Sequence, residues 1–282
     1  MPKNETKVLL AGKLTDFNNQ FSKETPCIQG TYDFVDTFFQ TMFPICRNRH
    51  TEAGELAIEL ERCSVKLKEL LFPLRGKMER TPQEVAETFF ESLPEVFDRL
   101  VDDAGMITRF DPASCCLEEI ILCYPGFYCI AVYRMAHVLY EMKVPLLPRI
   151  MSEYVHGKTG IDINPGARID YPFFIDHGTG IVIGETAVIG KNVKIYQGVT
   201  LGALTVEKSM SHTKRHPTIE DNVIIYAGST ILGGDTVIGH DTVVGGNTWI
   251  TESILPHSVV YRQHRVVVRD GKHFKEPIDY II

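Results

Sequence analysis

The sequence predicts an α+β chain: an all-helical N-terminal domain followed by a parallel β-helix built of hexapeptide repeats. Three observations predict it. Ile183-Gly184, Ile189-Gly190, Ile195-Tyr196 and Leu201-Gly202 recur every six residues, and the row extends backwards through His177-Gly178, Tyr171-Pro172, Pro165-Gly166 and Thr159-Gly160. A second row stands beside it at Ile163, Ile169, Ile175, Ile181, Ala187, Val193 and Val199. The period returns at Ile219, Ile225 and Ile231, and after a one-residue slip at Ile238, Val244 and Ile250. Six is neither a helical period nor simple strand alternation. It marks short strands stacked coil on coil, three flat faces and about eighteen residues to a coil, with inward aliphatic ladders. Glycine falls where the chain turns a corner.

Ahead of the repeats the spacing is helical. Residues 51–71 place apolar side chains three and four apart. Thr81-Pro-Gln-Glu84 reads as a helix start, with threonine as N-cap, proline in the first turn and glutamate three residues on. That amphipathic stretch runs to about Leu100. Cys115 to Met142 predicts one or two further helices broken at Pro125-Gly126, with Pro145 and Pro148 closing the last. Helical reading extends to about Val155. The expected domains are therefore 1–156 (helical), 157–258 (repeats) and 259–282 (C-terminal tail). Residues 203–217 lack regular aliphatics and predict a loop protruding from the ladder.

Composition narrows the function. The chain has 282 residues, 44% of them hydrophobic, and a net charge of −7, which disfavours a nucleic-acid binder. Neither a signal peptide nor a transmembrane stretch is read from the start of the chain or from its apolar runs. Seven irregularly spaced cysteines suggest reduced thiols and a cytoplasmic setting. Cys115, Cys116, Cys123 and Cys129 contain no CxxC pair, so they read as buried helical cysteines and not as a metal cluster.

Within the repeats stand Asp162-Ile-Asn-Pro-Gly-Ala-Arg168, Asp176-His-Gly-Thr-Gly180, Gly184-Glu-Thr186, Gly198-Val-Thr-Leu-Gly202 and Arg215-His-Pro217. In order and spacing they resemble serine O-acetyltransferases of the hexapeptide-repeat acyltransferase superfamily. The likeness covers about Asp111 to Pro256. It implies a left-handed coil, against the general right-handed crossover rule, and transfer of acetyl from acetyl-CoA to the L-serine hydroxyl, giving O-acetylserine for cysteine biosynthesis. It implies no metal or prosthetic group, because a thioester is already activated. The chain departs from the family in having no glycine from 203 to 217, and in carrying Val259–Arg265 where a Gly-x-Pro-Ala run is usual.

The chemistry needs a base near neutral pH, which suits histidine. His177 is anomalous in a lane of small and aliphatic residues. Asp162, fifteen residues earlier, lies one coil away, and coils stacked roughly 4.8 Å apart bring its carboxylate within reach of the imidazole. Such a carboxylate fixes the tautomer and steadies the imidazolium. By resemblance, Asp176 and Asp111 take the serine ammonium, and Arg215 and His216 take its carboxylate. Read alone, Asp176 is more often a turn residue, Asp111-Pro112 a helix-entry signal and Arg215 a solvated loop tip. The same resemblance lays the pantetheine arm along Ala227-Gly228 and Gly245-Gly246, with Gly202-Ala203 near the thioester. It further implies a homotrimer or a dimer of trimers, L-cysteine as a feedback inhibitor, and O-acetylserine sulfhydrylase as a partner bound through Ile282. Two other functions fit the fold: acetyl transfer to homoserine, a sugar or another small alcohol, and a non-catalytic scaffold for the sulfhydrylase.

Overall fold

A computed structural model describes residues 3–21, 24–47, 51–204 and 213–262. Helices come first: α1 Lys3–Phe21, α2 Ile28–Met42, α3 Ala53–Leu71, α4 Pro82–Phe110, α5 Leu117–Cys123, α6 Pro125–Glu141 and α7 Leu147–Thr159. The Thr81 start is a complete capping box. The Glu84 N–H donates to the Thr81 hydroxyl at 3.2 Å, and the Thr81 N–H donates to the Glu84 carboxylate at 2.7 Å. α4 continues ten residues past Leu100, because its buried stripe Val85, Phe89, Val96, Leu100, Ala104 and Ile107 stays in register across Pro94. The break before α6 is real, with Pro125 at its first turn. Pro148 does the opposite of what the sequence suggests. It sits in the first turn of α7, where a missing N–H is harmless, and so opens a helix. Gly160, at φ +71°, closes α7. No helix among the described residues is long and apolar enough to cross a membrane.

The cysteines divide. Cys129 is buried in α6 as read, whereas Cys115 and Cys123 are exposed and Cys116 is half-buried. The pair 115–116 lies in the turn between α4 and α5, outside any helix, which is why helical burial fails for it.

The repeats fold into a left-handed prism of three parallel sheets. The first sheet stacks Asp162–Ile163, Val182–Ile183, Thr200–Gly202, Thr230–Leu232 and Trp249–Ile250. The second stacks Arg168–Ile169, Val188–Ile189, Thr218–Ile219 and Val237–Ile238; the third runs from Phe173–Asp176 up to Val259–Val260. Each face buries one aliphatic ladder, such as Ile163, Ile183, Leu201, Ile231 and Ile250. Each such side chain contributes roughly 1.5–3 kcal/mol on burial. Higher up, Ser229 and Thr248 replace aliphatics beside the ladder, and their buried hydroxyls are bonded to one another (3.2 Å) and to the Gly245 carbonyl (2.9 and 3.1 Å).

Coil length is not constant. The first coil takes twenty residues, Asp162 pairing with Val182, and the next takes eighteen, Val182 pairing with Thr200. The extra pair follows Asp176. Ile163, Ile169 and Ile175 therefore stack beneath Ile183, Ile189 and Ile195, and the backward extension of that row through His177 is an accident of spacing. Thr200 pairs with Thr230, so the coil containing 203–217 is thirty residues long yet keeps register. Residues 205–212 of that loop and 263–282 of the tail lie outside the described residues.

α6 lies along the first coil and joins the two domains. A Cβ on Gly126 would stand 2.5 Å from the Ile175 carbonyl oxygen, so only glycine permits this approach. Tyr133 donates to the Ala167 carbonyl at 2.6 Å. Arg134 and Asp103, 4% and 0% exposed, form a two-pronged ion pair at 2.6 and 2.8 Å. Both also bind the prism: Asp103 accepts the Phe173 N–H at 2.8 Å, and Arg134 donates to the carbonyls of Ile169 and Asp170, each at 3.2 Å.

Candidate active site

The two-residue insertion in the first coil puts His177 on the prism edge between the third and first sheets. There it has φ +56° and is 72% exposed. The Gly180 N–H donates to the Gly160 carbonyl at 2.7 Å, so this corner sits directly over the end of α7. Asp176 ends the adjacent strand, its carboxylate 3.7 Å from Nε2 of His177. The C-cap of α4 brings in Asp111, whose carboxylate accepts the Tyr124 hydroxyl at 2.7 Å. Burial pushes the Asp176 carboxyl up; His177 opposes this and the charge of Asp111 adds to it. The Asp111 bond likewise pushes the Tyr124 phenol up. Two carboxylates thus converge beside one exposed imidazole, which makes this corner receptive to a cation. Tyr124, which braces Asp111, was missed; an aromatic thirteen residues downstream gives no periodic signal.

Asp162 is half-buried on the first sheet, where its N–H donates to the Ile181 carbonyl at 2.9 Å. Its carboxylate shares a cluster with Glu153 and His156 of α7, all ligand atoms within 4.8 Å. No hydrogen bond joins it to His177 in this structure.

Arg215 and His216 occupy a different edge, between the first and second sheets. Here two motifs that the sequence presents separately lock together. The Thr186 hydroxyl accepts the N–H groups of Arg215 and His216 at 2.9 and 3.1 Å. Nδ1 of His216 accepts the Thr186 N–H at 3.1 Å. Arg215 pairs with Glu185, which also accepts the Tyr140 hydroxyl at 3.0 Å. The imidazole packs tightly against Gly184: a Cβ there would be 2.0 Å from the ring. Burial alone would raise Glu185, yet the bonds from Arg215 and Tyr140 hold it below the usual carboxylate range.

His216 is pushed down to about 4 by burial, with Arg215 and Lys214 adding to the effect. Lys214 is itself pushed down to about 8 by burial, with Arg168 adding. A histidine held below its unfolded value of about 6.5 favours the folded state only while neutral. Its contribution is complete above pH 6.5 and is lost as pH falls towards 4. Thermal unfolding followed from pH 7.5 to 4.5 should show this acid loss shrink in His216→Gln. An unchanged pH dependence in that variant would exclude His216 as its source.

The positions read for the acyl donor divide between these edges. Ala227-Gly228 and Gly245-Gly246 stack above His177 on its own edge, joined by backbone bonds such as Gly228 N–H to the Gln197 carbonyl at 2.9 Å. Gly202-Ala203 begins the Arg215 edge.

No family model matches the chain. It is 47% identical over 192 residues to a plasmid-encoded serine acetyltransferase of Synechococcus elongatus, covering 64% of this chain and 60% of that one. To a serine acetyltransferase of Bacillus licheniformis it is 42% identical over 184 residues, covering 65% and 83%. Among solved structures, serine acetyltransferase 1 of Entamoeba histolytica in complex with L-cysteine superposes with a TM-score of 0.73 at 36% identity, covering 85% and 88%.

Proposed function

From the premise that the chain belongs to the serine O-acetyltransferase family of hexapeptide-repeat acyltransferases, we infer how it transfers an acetyl group to the serine hydroxyl in cysteine biosynthesis. The observation that carries this reading is the convergence of Asp111, Asp176 and exposed His177 at the first-coil insertion. Asp111 and Asp176 hold the serine ammonium, which leaves the hydroxyl at His177. The imidazole takes the hydroxyl proton as that oxygen attacks the thioester carbonyl of acetyl-CoA. The tetrahedral adduct collapses, the C–S bond breaks, and the imidazolium returns the proton to the departing CoA sulfur. Asp162 orients the ring. In support of this role, His177 is exposed, and its corner is bonded to the segment that leads into Asp162. CoA lies along the edge of Ala227-Gly228 and Gly245-Gly246, where small residues allow close backbone approach, and its thioester reaches Gly202-Ala203 of a second copy.

The substrate carboxylate goes to Arg215 and His216, and this requires more than one chain. A face of about five extended residues is roughly 15 Å wide, and serine cannot span it. A closed ring of three prisms sets the Arg215 edge of one copy against the His177 edge of the next. L-cysteine carries the same ammonium and carboxylate, and so competes with serine. Docking of a sulfhydrylase through Ile282 belongs to the same reading, although that residue lies outside the described ones.

An acceptor screen with acetyl-CoA tests the activity. CoA release is expected with L-serine and not with homoserine or sugars; release with a sugar alone would replace the acceptor, and none at all would favour a scaffold. Shared sites have a sharper test. His177→Ala and Arg215→Ala subunits, each inactive alone, should regain roughly a quarter of wild-type activity when co-assembled one to one, because every mixed trimer rebuilds one intact site. Mixed assemblies that stay inactive would confine the site to a single chain.

A further inference from the structure

The third prism edge, between the second and third sheets, carries a feature that acetyl transfer does not use. His240, Asp241 and His257 meet there from two successive coils, all three ligand atoms within 4.8 Å of one another. The Asp241 carboxylate is 2.7 Å from Nδ1 of His240 and 3.8 Å from Nδ1 of His257, and the two rings stand edge to face at 4.9 Å. We propose that His240, Asp241 and His257 form a binding site for a divalent transition-metal cation, zinc above all, separate from the catalytic edges.

Two imidazoles and one carboxylate are a donor set suited to zinc, with remaining positions open to water. The backbone under the donors is fixed. The His257 N–H donates to the His240 carbonyl at 2.9 Å, and the Asp241 N–H to the Asp221 carbonyl at 3.0 Å. The His240 N–H is held by Glu220 at 2.8 Å. Side-chain rotation alone therefore has to close the donors to metal–ligand distances of about 2.0–2.2 Å.

The carboxylate is also aimed. Asn192 donates to the Asn222 side chain at 3.1 Å, and Asn222 donates to Oδ1 of Asp241 at 3.0 Å, which leaves Oδ2 towards the histidines. Outer bonds of this kind orient metal ligands. Asn192, Asn222, Asp241 and His257 all occupy the left-handed region at this edge, with φ between +56° and +61°. Asparagine is the usual choice for such a corner; at the top coil the position instead carries an imidazole. In the trimer proposed above, the other two edges face neighbours and this one stays in solvent.

The test is calorimetric titration of ZnCl2 into the untagged full chain carrying Cys115→Ser and Cys116→Ser, so that thiols cannot supply the signal. One equivalent per chain is expected. His257→Asn, which suits the left-handed corner, should weaken it at least tenfold without changing the melting temperature of the metal-free protein or its serine turnover. His240→Gln should do the same. Absence of zinc binding, unchanged affinity in His257→Asn, or loss confined to His156→Ala at the α7 cluster would each overturn the proposal.

Discussion

Replacing His177 by asparagine or alanine should lower kcat by roughly 10²–10⁴-fold, the range for losing a general base. The fold should survive, because the ring is 72% exposed and little packing depends on it. Asparagine is the cleaner probe, since it tolerates the φ of +56° at this corner, whereas alanine keeps the left-handed cost of about 1–2 kcal/mol without the imidazole. Asp162→Asn should cost less than either, if Asp162 orients the ring and takes no proton itself. Steady-state kinetics beside a melting curve checks this. Near-normal turnover by folded His177→Asn would end the mechanism.

The largest stability effect is expected at the buried pair between the domains. Arg134→Met should destabilise the chain by about 3–5 kcal/mol, because it strands the Asp103 carboxylate away from water. At about 2–4 °C per kcal/mol for a chain of this size, the melting temperature should fall by roughly 10 °C. Adding Asp103→Leu removes the stranded charge and should recover part of the loss. Recovery stays incomplete because the Phe173 N–H, bonded to Asp103 at 2.8 Å, is then unpaired. A loss below 1 kcal/mol in the single variant would mean that the pair does not join the domains.

The stacked faces were legible because each hexapeptide repeats a burial rule, and Ile183, Leu201 and Ile231 obey it whatever lies between them. The capping box at Thr81 was legible for the same reason: its partners are three residues apart. What escaped was pairing between distant segments. Glu185 and Thr186 stood in a quoted motif, yet their bonds to Arg215 and His216 cross about thirty residues. Asp103 and Arg134 give no local sign of each other. The two residues added after Asp176 were hidden by a glycine that kept the row going by chance. His177 was picked out as an anomaly in its lane, and the structure explains why it is one: it never belonged to the ladder.

The unequal coils bear on how such an edge can change over evolutionary time. Thr200 still pairs with Thr230 although their coil is twelve residues longer than the eighteen of its neighbour. Loop-closure entropy grows only as the logarithm of length, so this lengthening costs under about 0.6 kcal/mol, the cost of a full doubling. Chain length at an edge is therefore nearly neutral for the prism, whereas one residue gained within a strand would turn a buried ladder outward. The two edges proposed to share the substrate carry such additions, two residues at His177 and twelve before Arg215. New acceptor specificities can be tried at these places while the ladders beneath hold the register unchanged.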